Sequence, residues 1–213
     1  MARLRALEPE EFPPEMKAMV GDAIHDKPQL GVSRIWAQRP ELALAYKRMI
    51  SEMLKASILP RKLIELMRLR VAFHNQCRNC MAVRYGAAIE DGVTEELVCE
   101  LVSPETAPNL TEREKAALRY ADLVASNHLA VNDATFDDLR KHFTEPEIIE
   151  MGAHIAYCLG FGRVASGWDM VDDLPERFHD RDNKVTPWGG DAITKKDAKS
   201  AAPVAPALQR KAG

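Results

Sequence analysis

The sequence predicts an all-α fold, and three observations carry that prediction. Strand signals are nearly absent along the 213 residues, while residues that open and close helices recur throughout. Apolar residues repeat at helical spacing over several stretches. One stretch, Arg61–His74, is apolar nearly all round, which places it at the centre of a bundle with other helices packed on it.

Met1 to Pro14 is charged, holds Pro9, Pro13 and Pro14, and lacks the apolar core of a signal peptide. Pro40 opens an amphipathic stretch in which Leu42, Ala45, Tyr46, Met49 and Met53 mark an apolar stripe. Pro60 starts the central segment. A helix over Cys77–Glu90 follows almost directly, closed by Asp91-Gly92. Thr94 caps a short helix reaching about Val102, and Pro104–Asn109 is a loop. Thr111 with Glu114, and Thr144 with Glu147, are capping-box patterns, each ahead of an apolar run. Between them Asn132 or Asp133 caps a helix through His142. Gly152, Gly160, Gly162 and Gly167 punctuate Ile148–Gly167, which signals either close backbone approach or a break.

Size and composition suit one domain, residues 1–176, followed by an extended tail over 177–213 whose last part is rich in Lys, Ala and Pro. Trp188 is a residue through which that tail is able to dock on a neighbouring subunit. A net charge of −3 gives no basic footprint for nucleic acid. No apolar run approaches the ~20 residues that span a bilayer. A cytoplasmic protein is the expectation, and there four cysteines argue for redox chemistry or metal binding before structural disulfides.

The chemistry concentrates at Cys77-Arg-Asn-Cys80. Two thiols three residues apart at a helix start lie within disulfide reach, and the helix dipole favours thiolate there. Cys77, nearer the N-terminus, is expected to be the more exposed and Cys80 the deeper. Glu65, twelve residues earlier on the apolar helix, is either a structural ion pair with Arg61 or Arg68, or a carboxylate aimed at the thiols. Arg84, four residues after Cys80, is expected on the same helical face, lowering the Cys80 pKa or anchoring a substrate carboxylate. His74 is a candidate titrating group or a cap on the preceding helix. His154 and Cys158, with the CxxC pair, offer a Cys₃His zinc alternative. Neither a cofactor nor a resident metal enters the preferred reading.

Leu59 to Ala72 (LPRKLIELMRLRVA), followed by Cys77-x-x-Cys80, resembles the carboxymuconolactone decarboxylase / alkylhydroperoxidase D family. The redox branch of that family carries Glu-x11-Cys-x2-Cys-x3-His, matched here by Glu65, Cys77 and Cys80. The layout from Leu7 to about Pro175 is also similar to the larger members. The resemblance implies an all-α alkylhydroperoxidase D-like bundle assembled as a trimer or hexamer. It further implies reduction of a hydroperoxide, with a lipoyl group or thioredoxin-like protein as dithiol reductant. In that scheme Cys80 attacks the peroxide, Cys77 resolves, and Glu65 belongs to the proton relay. Two relay histidines are replaced, by Asn79 and Arg84. Decarboxylation of a carboxylated lactone and a non-enzymatic redox-responsive oligomer are the competing functions.

Overall fold

Proline and short capping side chains set most helix boundaries in the computed structural model, which describes residues 2–189 and 191–195. Three short helices, α1 (Pro14–Val20), α2 (Lys27–Leu30) and α3 (Ser33–Trp36), form an N-terminal cap that sequence periodicity did not resolve. Helix α4 (Pro40–Lys55) starts at its proline, as expected. Its apolar stripe is rotated, however. Leu42, Ala45 and Met49 face outward, and Ala43, Tyr46 and Ile50 turn inward.

Helix α5 (Arg61–Asn75) is the axis of the bundle, with Leu66, Leu69 and Val71 fully enclosed. It ends at Gln76, whose left-handed backbone (φ 50°) turns the chain directly into α6 (Arg78–Ala82). The long helix expected over 77–90 does not form. A three-residue strand, β1 (Val83–Tyr85), divides it from α7 (Gly86–Glu90). Next come α8 (Glu95–Glu100), capped by Thr94, and α9 (Glu112–Asn127), whose Thr111–Glu114 capping box is present. Asn132 caps α10 (Asp133–Arg140), and the Thr144–Glu147 box opens α11 (Glu145–Trp168).

Helices α9 and α11 flank α5, and their apolar faces close the main core around Met67, Val71, Ala117, Met151 and Ile155. The glycines of α11 do not break it. Gly162 marks a close approach instead, since a Cβ there would lie 2.6 Å from the Asn75 side-chain nitrogen. That nitrogen donates to the carbonyls of Cys158 and Leu159, locking α5 against α11.

Within the tail expected over 177–213, the described residues pack on the rest of the chain. Phe178 is fully buried, and Gln76 clamps Val185 by accepting from its N–H at 2.9 Å and donating to its carbonyl. Trp188 packs on Phe73 of its own chain, with ring centroids 5.0 Å apart. Strand β2 (Ile193–Lys195) then pairs in parallel with β1, placing Lys195 opposite Tyr85. The rest of the tail, residue 190 and residues 196–213, lies outside the described residues.

Candidate active site

Cys77 and Cys80 are joined as a disulfide, with Cα atoms 5.2 Å apart. Cys77 stands at the N-cap of α6, where its sulfur accepts from the Cys80 N–H at 3.3 Å. The expected order of exposure is reversed. Cys77 is sealed at 0% exposure, because the left-handed turn at Gln76 folds it back under α5, while Cys80 is half-buried and reaches a cavity.

That cavity measures about 220 Å³. Its apolar wall is aromatic: Trp36, Tyr46, Tyr157 and Phe161 form a cluster in which Tyr46 and Phe161 centroids lie 4.1 Å apart. Arg68, Asn79, Cys80, Tyr85 and Cys158 line it alongside Lys47 and Lys195. Burial pushes the Cys158 thiol up to about 12 and the Tyr46 and Tyr157 phenols above their ordinary value, so all three stay neutral near pH 7.

Glu65 is buried, and the structure supports the ion-pair arm of the expectation. Both of its oxygens are taken by Arg68 in a two-pronged pair at 2.7 Å each. The same guanidinium donates to the Cys80 carbonyl at 2.5 Å and to the Val83 carbonyl at 2.8 Å, and lies 5.0 Å from the Tyr85 ring centre. Burial works against the charge of Arg68, but the adjacent carboxylate outweighs it and holds the group protonated. Arg68 is therefore a buried cation held against Cys80. Its signal was present in the sequence as an arginine one turn after Glu65 on the central helix.

Arg84 and His74 sit elsewhere. The chain switches to extended backbone at Val83, so Arg84 does not share the face of Cys80. It is 1% exposed and points away, donating to Glu95 and to the carbonyls of Met81, Val83 and Pro187. His74 meets Asp122 on α9 at 2.8 Å, beside Arg70, and does not line the cavity. The hydrogen bonds from His74 and Arg70 overcome the burial of Asp122 and lower its pKa.

The zinc alternative does not assemble. His154 faces Glu150 at 3.4 Å, whereas Cys158 faces the cavity. Among the described residues no group of three or more His, Cys, Asp or Glu side chains is placed to hold a metal ion. Nor is any described helix long and apolar enough to cross a membrane.

With this geometry established, similarity to known proteins becomes interpretable. Residues 40–123 match the carboxymuconolactone decarboxylase family. Two proteins of Mycobacterium tuberculosis, MT2376 (strain CDC 1551 / Oshkosh) and Rv2313c (strain H37Rv), both uncharacterized, are each 39% identical over 89 residues. The match covers 41% of this chain and 31% of each relative, so the chain spans about a third of the length of the curated relatives it matches.

Three solved structures share the fold. The alkylhydroperoxidase AhpD core of a peroxidase-related protein from Ralstonia eutropha JMP134 superposes with a TM-score of 0.69 at 22% identity. That match covers 84% of this chain and 94% of the other. A putative antioxidant defence protein AhpD, ATU0492 of Agrobacterium tumefaciens, gives 0.55 at 24% identity over 63% of this chain and 92% of its own. The debrominase Bmp8 C82A in complex with 2,3,4-tribromopyrrole gives 0.62 at 18% identity, covering 80% and 92%. Residues 40–123, which carry α4, α5 and the cysteine pair, are thus similar to the carboxymuconolactone decarboxylase family, and the chain has an alkylhydroperoxidase D-like all-α fold.

Proposed function

We propose that the chain is a dithiol–disulfide oxidoreductase that reduces hydroperoxides at Cys80. The observation that carries this reading is the pairing of a sealed sulfur, Cys77, with one that faces a cavity, Cys80. A disulfide serving only to staple the fold has no need of a cavity on one side.

In the reduced protein the Cys80 thiolate attacks the distal oxygen of the hydroperoxide. The O–O bond breaks, the alkoxide leaves and takes a proton from solvent to become the alcohol, and Cys80 becomes a sulfenic acid. The Cys77 thiolate then attacks that sulfur. The S–O bond breaks, hydroxide leaves as water after taking a proton, and the disulfide closes. Two thiols have supplied two electrons. A dithiol of the lipoyl or thioredoxin-like class returns them by exchange at Cys80, the accessible sulfur.

Arg68 takes the part that charge must play when a histidine relay is lacking. Its guanidinium beside Cys80 favours thiolate over thiol without itself exchanging a proton. Glu65 fixes the guanidinium in place and is a positioning residue in this reading. We extend the proposal to assembly as a trimer or hexamer, for which the outward stripe of Leu42 and Met49 on α4 supplies apolar surface. Light scattering checks that extension.

Stopped-flow mixing of reduced protein with tert-butyl hydroperoxide should consume one equivalent and close the 77–80 bond, read by mass spectrometry. Cys77→Ser should stop at a sulfenic acid that dimedone traps. Were Cys80→Ser to react as fast as wild type, the proposal would be lost. Turnover of a carboxylated lactone with both thiols alkylated would favour decarboxylation instead.

A further inference from the structure

Among the described residues, three cations line the cavity, Lys47, Arg68 and Lys195, and no carboxylate does. Arg68 is already matched by Glu65. Among the described residues, neither lysine ammonium has a hydrogen-bond or ion-pair partner. Tyr46, Tyr157 and Cys158 on the same wall are held neutral and add no negative charge near pH 7. Burial, together with the repulsion of Lys47 and Arg68, pushes Lys195 down to about 8, so it remains mostly charged at neutral pH. A cavity with surplus positive charge and an aromatic wall suits one kind of guest.

We propose that the cavity beside Cys80 takes a compact organic hydroperoxide with an apolar, ring-sized body and an anionic group such as a carboxylate, and that Lys195, with Lys47, holds the anion. This assignment deepens the peroxidase reading and rests on it for the reactive end of the guest. Space agrees: the cavity of about 220 Å³ exceeds the ~150 Å³ apolar cavity that accommodates benzene. Trp36, Tyr46, Tyr157 and Phe161 supply flat apolar contact for the body. Lys195 reaches the site through tertiary pairing alone, because β2 lies beside β1 with Lys195 opposite Tyr85. It also lies outside the family-matched segment, so it selects a guest for this chain and is not a general feature of that segment.

Binding can be separated from turnover. Oxidised wild-type protein, which cannot consume peroxide, should bind 4-isopropylbenzoate at least about tenfold more tightly than the neutral 4-isopropylbenzyl alcohol at pH 7, read by calorimetry or Trp quenching. Lys195→Met should remove most of that ratio, and Lys195→Arg should keep it. Equal affinity for the two compounds in wild type overturns the assignment, as does a ratio that survives both Lys195→Met and Lys47→Met. With reduced protein, 4-carboxycumene hydroperoxide should show a higher kcat/KM than cumene hydroperoxide. A binding ratio without peroxide consumption upholds the anion site and removes the peroxidase reading. Peroxide consumption without a ratio does the reverse.

Discussion

Arg68 and Arg84 lie one on each side of the cysteine helix and make a controlled comparison. Both are buried, both grip main-chain carbonyls, and both meet a carboxylate. Their partners differ. The Glu65 side chain is 3% exposed, so neither it nor Arg68 has water to fall back on. The Glu95 side chain is 42% exposed, and its pair with Arg84 is partly screened by solvent. Only Arg68 lines the cavity of Cys80. Two arginines of similar burial thus divide the work: one fixes and polarises the reactive end of α6, the other pins β1 to the C-terminal segment through Pro187. The identity of a residue says little about its role until its partners are known.

Stability gives the widest separation between them. Arg68→Met strands the Glu65 carboxylate in an apolar setting and should cost about 3–5 kcal/mol in urea unfolding. Arg84→Met leaves Glu95 free to hydrate and should cost less, about 1–3 kcal/mol for the carbonyls it abandons. A reversed order would break the comparison. Chemistry sharpens it further. In reduced protein Arg68→Lys, which keeps the charge but loses the fork, should move the Cys80 alkylation midpoint to higher pH, by about half a unit to one unit. Arg84→Lys should leave that midpoint in place, and an equal shift in both variants would mean that neither charge is local to the sulfur.

The switch to strand at Val83 that carries Arg84 away also allows β2 to bring in Lys195, which gives a pH test of the same geometry. Lys195 is pushed down to about 8, so raising the pH through that value strips its proton and its charge. The preference for 4-isopropylbenzoate should therefore fall on the alkaline side and be fully present below it. A preference that is flat from pH 6 to 10 would sever Lys195 from the site. The smallest effect concerns Cys158. Burial raises its thiol to about 12, and the opposing influence of Arg68 is weaker. At pH 8 iodoacetamide should modify the exposed Cys99 and spare Cys158, read by peptide mass spectrometry.

Much of the fold was legible because helix boundaries are local. Pro40, Thr94, Thr111, Asn132 and Thr144 each fix a start through their own backbone or a side chain reaching three residues along. The short helices before Pro40 escaped notice because four to seven residues make too little periodicity to read. The stripe on α4 was misplaced in part: Tyr46 turns inward as expected, but the apolar residues Leu42 and Met49 are turned outward. Of the site, Glu65 and the cysteine pair were found by spacing. The exposure of the two sulfurs was inverted, since it depends on the backbone turn at Gln76, a non-glycine residue in a conformation that glycine usually marks. Arg84 was assigned to the wrong face because helical continuity was assumed across Val83.

The sequence by itself determined the helical class, the central helix and the sulfur pair, because caps, apolar periodicity and a three-residue spacing all act within a turn or two of chain. Only the tertiary structure decided which sulfur meets the cavity, which arginine stands beside it and which lysine completes the wall. Those outcomes hang on a strand pairing between residues 83–85 and 193–195 and on the packing of α11 over α5. Contacts made across a hundred residues leave no mark on the neighbours in sequence, since what fixes them is the shape and charge of the surface they meet.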